Sequence, residues 1–255
     1  MELLTVGNAA KLYCLCWIEN LASTRQEITI LDLGCGTALN FVKLLELYPK
    51  IRYLGVEPDR QSCLQAQSHL RGLNGTVVNA YAYGIHGKLQ EEFDVVVSFS
   101  VLEHVYRRKD YLQSAKECLK PDGHVLINYD SGHFVSPNVA GRWRNLFRPV
   151  LARLGAERYY QGFVKEIDFR QMAAEVGFEI VDAKFFNTHS LKSFYKTVPQ
   201  AWRSEYMHQW LEFELGLNEL GMDYVDSLAS CFGTRNFVLV HRQPVSSPAA
   251  EPGSR

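Results

Sequence analysis

Along this chain the apolar positions switch between two periods, and the switches lay out a fold. Short runs rich in β-branched and other apolar residues at 28–33, 51–57, 75–80, 94–99 and 123–129 read as strands. Between them, apolar residues recur every three to four positions at 38–48, 59–72 and 107–119, the period of a helix. An earlier helix over 7–22 carries Leu12, Leu15, Ile18 and Leu21 at near-helical spacing. Strands alternating with helices predict an α/β fold, a parallel sheet covered on both faces and built from right-handed crossovers. Asp59 stands where it would cap the helix that follows Pro58, and Gly177 where it would close a helix over 166–176. Two stretches fall outside the alternation, 130–165 and 188–233. The second holds Trp202, Tyr206, Trp210, Phe213, Leu217 and Leu220 in a helical pattern. The expected organisation is one domain over 1–243 with core segments 28–130, 166–187 and 233–242, cap insertions at 130–165 and 188–233, and a disordered Pro/Ser/Ala-rich tail at 244–255.

The first strand runs into the chain's most specific chemistry. In Ile30-Leu31-Asp32-Leu33-Gly34-Cys35-Gly36-Thr37-Ala38 a buried strand stops at a glycine-rich turn and leads into a helix. Glycine lets backbone N–H groups approach a ligand where a Cβ would clash. Twenty-one residues after Gly36, Glu57 closes the second strand, where a carboxylate can accept both hydroxyls of a ribose. The pair predicts a nucleoside-containing cofactor bound beyond the carboxyl ends of the strands. Leu39 stands where a nicotinamide fingerprint needs its last glycine, and the Gly-Lys-Ser/Thr of a phosphate loop is absent. Asp32 does not suit a pyrophosphate cradle and favours a cationic or amino-acid ligand.

This arrangement resembles motif I of the class I S-adenosylmethionine-dependent methyltransferases, and the resemblance continues downstream. Glu57-Pro58 matches the family's ribose-binding acid. Glu92–Ser98 looks like its fourth strand, and Val101-Leu102-Glu103-His104-Val105 like a segment common among its small-molecule members. The segments 119–127, 174–181 and 234–241 resemble its later strands. The resemblance implies a doubly wound, Rossmann-like sheet, mostly parallel with an antiparallel last strand, plus helical caps. It implies S-adenosylmethionine as cofactor, S-adenosylhomocysteine as product and no metal. Cofactor residues carried over are Asp32, Gly34, Cys35, Gly36, Glu57, Pro58, Ser98 and Phe99. Two departures stand out. The family's third glycine is Ala38, a change expected to crowd the turn slightly. The acid that often follows the third strand is missing, so Asn79, Ala80 and Tyr81 are assigned the adenine side.

The implied reaction is methyl transfer to a small molecule, with a hydroxyl as the expected acceptor. His104 and His133 are the candidate bases, since an imidazole can take a hydroxyl proton at neutral pH. His104 would equally suit a loop-ordering role. The alternatives are N- or C-methylation on the same fold, or a non-catalytic cofactor-binding protein. A net charge of −1 gives no global reason to bind nucleic acid. The six cysteines lack metal-ligand spacing and, with no leader pattern, predict free thiols in a cytoplasmic protein. The segment 139–154 sets Arg142, Arg144, Arg148 and Arg153 around an apolar face that includes Trp143 and Phe147. It reads as a lid whose arginine stems snorkel, with membrane contact or phosphate binding as alternatives. Self-association is left open.

Overall fold

A computed structural model describes residues 7–89, 91–130, 152–153, 160–220 and 231–243. His133, the lid segment 139–154 apart from residues 152–153, and the tail 244–255 lie outside the described residues. The chain runs α1 (Ala9–Thr24), β1 (Ile28–Leu33), α2 (Leu39–Leu47), β2 (Ile51–Glu57), α3 (Arg60–His69), β3 (Gly75–Asn79), β4 (Phe93–Phe99), α4 (Arg108–Glu117), β5 (Leu119–Asp130), α5 (Glu166–Val176), β6 (Phe178–Thr188), α6 (His189–Tyr195), α7 (Arg203–Asn218) and β7 (Phe232–His241). The seven strands form one sheet in the order β3-β2-β1-β4-β5-β7-β6. β7 pairs antiparallel with both β5 and β6, and the other pairings are parallel. The predicted α/β sheet with an antiparallel last strand is therefore what the chain forms.

The central strands are buried along their whole length, because helices cover both faces. Alternate residues serve the two faces. Ile28, Ile30, Val95 and Val97 pack with α1, α2, α3 and α7, while Leu31, Leu33 and Val96 pack with α4 and α5. The order reverses between β1 and β4, which opens a crevice at their carboxyl ends.

Two elements differ from expectation. β5 begins at Leu119 rather than 123, because Leu119 pairs with Phe93 before the register shifts ahead of Val95. The Lys120-Pro121-Asp122-Gly123 segment is thus taken into the strand instead of standing as a turn before it. On α7 the buried side chains are Met207, Trp210, Leu211 and Glu214, whereas Phe213 and the flanking Trp202 and Leu220 are exposed. The predicted aromatic row does not coincide with the buried stripe.

A polar knot fastens α1 and α7 to the carboxyl edge of the sheet. Asn187, at the end of β6, is fully buried with φ +63°, a left-handed conformation that asparagine tolerates. Its Oδ1 accepts from the Ala9 N–H (2.8 Å), and its Nδ2 donates to Asn8 Oδ1 (3.0 Å) and Thr234 Oγ1 (2.7 Å). The Glu214 carboxylate accepts from the N–H groups of Asn187 (2.8 Å) and Thr188 (2.7 Å). Burial pushes the Glu214 carboxyl up, and these N–H groups work against that shift. All six cysteines are free thiols. No helix among the described residues is long and apolar enough to cross a membrane.

The opposite edge of the sheet is closed by Asp94. Its Oδ2 accepts from the Thr29 N–H and hydroxyl (both 2.8 Å) and from Lys120 Nζ (3.0 Å), while Oδ1 pairs with Arg25 (3.1 Å). Burial opposes the charged form, but Thr29 and Lys120 outweigh it and hold the carboxyl below its ordinary value. Asp94→Ala strands the buried Thr29 N–H, so a loss of roughly 2–4 kcal/mol is expected in urea unfolding at pH 7. The contribution of the ionised group is present above its unfolded value near 3.8. It is lost as pH falls through the lower folded value, so the gap between variant and wild type should narrow in acid.

Candidate active site

The turn after β1 opens on a shared acceptor. The Val56 carbonyl, in β2, takes both the Gly34 N–H (2.8 Å) and the Cys35 N–H (3.1 Å). This bends the chain away from the sheet, with Gly34 at φ +83° and Gly36 at φ +55°. A Cβ on Gly34 would lie 2.7 Å from Val101 Cγ2, so glycine is required there both for its conformation and for the close approach. Next door, β4 ends in a similar way. Ser100 has φ +59° and donates its N–H to the Asn128 carbonyl (3.0 Å). Two adjacent strand ends thus turn away from each other over the crevice.

Glu57 ties the turn to the second strand. Its Oε2 accepts from the Gly36 N–H (2.9 Å) and its Oε1 from the Asp59 N–H (2.8 Å), which leaves carboxylate lone pairs toward the crevice. Asn79 Nδ2 donates to the carbonyls of Glu57 (2.8 Å) and Pro58 (3.0 Å), and the Ala80 N–H also reaches the Glu57 carbonyl (3.2 Å). Asn79 and Ala80 therefore fix the segment that carries the acid. A cavity of about 570 Å³ opens beside it, lined by Gly34, Glu57, Pro58, Tyr81, His104 and Tyr111 among others. On its wall, Tyr81 and Tyr83 lie stacked with centroids 6.4 Å apart, and the Arg107 guanidinium sits 4.1 Å over the Tyr83 ring.

Of the residues assigned from sequence, the structure brings Gly34, Glu57, Pro58, Tyr81 and His104 to this cavity. Cys35 points inward, its Sγ standing 2.6 Å from where a Cβ on Gly55 would be. The Ser98 hydroxyl is buried and donates to the Tyr111 oxygen (2.8 Å), whose own proton goes to the Leu33 carbonyl (2.8 Å). The Phe99 ring stacks on Phe41 in the core. Sequence reasoning missed Tyr83, Val101, Val105 and Tyr111. Their signal was only that they follow or cover the carboxyl ends of strands.

Asp32 lies one layer deeper, 3% exposed. Tyr53 donates its hydroxyl to Oδ2 (2.8 Å), while Oδ1 has no hydrogen-bond partner among the described residues. Burial pushes this carboxyl up to about 7, Glu57 adds to the rise, and Tyr53 and Lys11 oppose it. A second acid, Glu103, was also missed from sequence. It sits in the short turn Leu102–His104, 2% exposed, accepting the Asp130 N–H on Oε1 (3.3 Å) with Oε2 unpartnered among the described residues. Burial raises its carboxyl to about 7, Asp130 also raises it, and Lys11 works in the opposite direction. The Glu103 carbonyl accepts from Gly162 N–H (2.8 Å). Arg108 holds the carbonyls of Leu102 (3.2 Å), Gly162 (2.8 Å) and Phe163 (2.9 Å), so this turn is clamped from above.

Comparison with known proteins agrees with this geometry. Residues 31–125, from β1 to β5, match a family model described as a methyltransferase domain. A rat thiol S-methyltransferase, TMT1B, is 28% identical over 143 residues, 54% of this chain and 57% of the relative. The mitochondrial ubiquinone biosynthesis O-methyltransferase of Schizosaccharomyces pombe is 30% identical over 104 residues, 39% of this chain and 36% of the relative. The matched stretches thus span little more than half of one relative and about a third of the other. Among solved structures, an O-methyltransferase from a Brevibacillus brevis polyketide multienzyme, in complex with S-adenosyl-L-homocysteine, superposes with a TM-score of 0.55 at 14% identity. That superposition covers 91% of this chain and 72% of the other.

Ala38, where the resemblance implies glycine, caps α2 at φ +57° with 1% exposure. The cost there is conformational, since a left-handed alanine is less favourable by about 1–2 kcal/mol. Ala38→Gly should therefore raise stability in thermal unfolding, by roughly 1 kcal/mol after the greater entropy of an unfolded glycine is subtracted. Gly34→Ala should lower it and displace Val101 from the cavity wall.

Proposed function

We propose that this chain, which belongs to the class I S-adenosylmethionine-dependent methyltransferases, transfers a methyl group to a hydroxyl of a small-molecule acceptor. One observation carries the cofactor reading. A buried acid with an oxygen unpartnered among the described residues (Asp32) and an acid at the mouth (Glu57) flank a turn whose Gly34 leaves no room for a side chain, at the point where the strand order reverses. The residues present fit that cofactor. Glu57 suits the ribose hydroxyls, Asp32 the ammonium of the amino-acid part, and the walls formed by Tyr81, Tyr83, Val101 and Val105 a flat base.

When bound, S-adenosylmethionine supplies a methyl group already activated by its sulfonium, so the chemistry asks for in-line alignment and exclusion of water. The chain's part is to orient both partners and to receive the hydroxyl proton. Two groups are placed for that proton. His104 lines the 570 Å³ cavity, and the buried Glu103 beside Asp130 keeps an oxygen unpartnered among the described residues. Glu103 is the base to test first, because burial raises its carboxyl to about 7, near the pH at which a general base works best. His133 remains a candidate outside the described residues. A thiol acceptor is the second reading, favoured by the resemblance to the rat S-methyltransferase. A thiol ionises far more readily than an alcohol and depends less on a base.

Glu103→Gln should lower O-methyl transfer by roughly 10²–10⁴-fold, the usual contribution of a general base. The wild-type rate should climb as pH rises through about 7, where Glu103 loses its proton, and the variant should lose that limb. Steady-state rates against a panel of phenols, aliphatic alcohols and thiols check this. If His104→Gln loses the limb instead, the imidazole is the base. Thiol turnover that is indifferent to both substitutions, with no alcohol or phenol turnover at all, would overturn the hydroxyl reading.

Binding of S-adenosylhomocysteine should also be linked to protons. Without ligand Asp32 is largely protonated below about pH 7, and an ammonium beside it lowers that value. Calorimetry should therefore find proton release on binding between about pH 5 and 7, with affinity rising over the same range. Asp32→Asn should abolish both effects. A pH-independent affinity in the wild type would remove Asp32 from the site.

A further inference from the structure

Both ends of the 130–165 insertion close on one residue. Where the chain leaves the sheet, the Asp130 N–H donates to Glu103 Oε1 (3.3 Å). Where it returns, the Gly162 N–H donates to the Glu103 carbonyl (2.8 Å). The returning segment, residues 160–165, is seated by Val164, which is buried in the same apolar cluster as Leu102 and Val105. Gly162 has no room for a side chain, since a Cβ there would strike the Tyr160 hydroxyl and lie 3.1 Å from Arg108 Nη2. Tyr160 stands edge-on to Tyr106, with centroids 5.2 Å apart, and the Tyr106 hydroxyl accepts from Arg153 Nε (2.7 Å). The insertion therefore grips the Leu102–His104 turn and its flank at several points.

Arg108, the first residue of α4, joins the turn to the returning segment. Its Nε holds the Leu102 carbonyl on the turn (3.2 Å). Its terminal nitrogens hold the Gly162 (2.8 Å) and Phe163 (2.9 Å) carbonyls on the segment. All three acceptors are backbone carbonyls, so the guanidinium fixes the path of the chain rather than neutralising a carboxylate. A planar fork suits that task, whereas a lysine ammonium is a point charge on a flexible stem. The Glu103 carboxyl itself is held by little. Oε1 has one long bond, from Asp130, and Oε2 is unpartnered among the described residues. Its place is set by the backbone beneath it, and that backbone is set by the clamp.

We propose that Arg108 is a positioning residue for the proton-accepting step: it locks the returning segment onto the turn and thereby fixes where the Glu103 carboxyl stands. This rests on the reading of Glu103 as the base. It also gives the insertion a part in proton transfer, through two segments far apart in the sequence that act as one unit.

The first test needs no acceptor. Wild type, Arg108→Gln and Arg108→Lys, carrying isotope-labelled glutamate, are titrated by NMR, with Glu103→Gln identifying the Glu103 carboxyl signal. In the wild type burial and Asp130 of β5 raise that carboxyl to about 7, against Lys11 of α1. Release of the turn lets water reach it, so in both variants its acid constant should rise roughly ten- to a hundredfold. Removal of a cation alone would move the value upward instead, so the sign separates the clamp from simple charge. Turnover of S-adenosylmethionine with the best phenol or alcohol of the panel gives the second reading. Arg108→Gln should lower kcat roughly ten- to a hundredfold, within what a base contributes, and leave S-adenosylhomocysteine affinity within about twofold. The double variant Glu103→Gln/Arg108→Gln should be no slower than Glu103→Gln, because no carboxylate is left to position. A wild-type carboxyl already near 4.5, or one that is unmoved or raised in both variants, overturns the assignment. Losses that multiply in the double variant also overturn it, since Arg108 would then act elsewhere. Arg108→Lys carries the test if Arg108→Gln does not fold, and the titration decides alone if no panel member turns over. Glu103→Gln with wild-type turnover overturns the base reading itself, and the positioning role falls with it.

Discussion

The site depends on one carbonyl. Val56, near the end of β2, would normally take a single N–H from the neighbouring strand, but here it takes two consecutive ones, from Gly34 and Cys35. That double acceptance stops β1, forces the left-handed glycines and brings Gly34 against Val101. It also carries Gly36 to the Glu57 carboxylate, so the acid and the turn hold each other in place. The parallel pairing of β1 with β2, in which Leu33 stands opposite Val56, makes the arrangement possible. A slip of one residue would turn Asp32 to the other face of the sheet.

Around this turn the two edges of the sheet are built on different principles. At the amino edge every charge near Asp94 is matched, with Thr29, Lys120 and Arg25 closing on one carboxylate. At the carboxyl edge Asp32 and Glu103 each keep an oxygen unpartnered among the described residues, and burial pushes their carboxyls up. Such groups are costly to bury. The asymmetry sets a fully partnered buried carboxylate at one edge against two buried carboxyls raised to about 7 at the other.

The helices reinforce that division. α4 supplies Tyr111, whose hydroxyl reaches Leu33 and Ser98 at the ends of β1 and β4, and Arg108, which clamps the turn holding Glu103. α1 and α7 meet at Asn187, a buried asparagine whose amide serves α1 and β7 while its backbone is served by Glu214. Both helices are thereby tied to the carboxyl edge by polar groups with specific directions, which position elements more tightly than apolar packing alone.

By itself the sequence determined the alternation of strands and helices, the two-faced burial of the central strands, and the motif joining Asp32, Gly34, Gly36 and Glu57. These depend on periodicity and on residue types that few backbone conformations accept, so neighbouring residues suffice to read them. Only the tertiary structure decided that β5 starts at Leu119 through its pairing with Phe93, that Phe213 faces solvent while Trp210 is buried, and that Ser98 bonds to Tyr111 inside the core. It alone brought Lys11 into the field of Asp32 and left Glu103 buried beside Asp130. Lys11 and Glu103 are ordinary residues in their local sequence. Their character comes from desolvation and from charges supplied by elements far away in the chain, which no local pattern encodes.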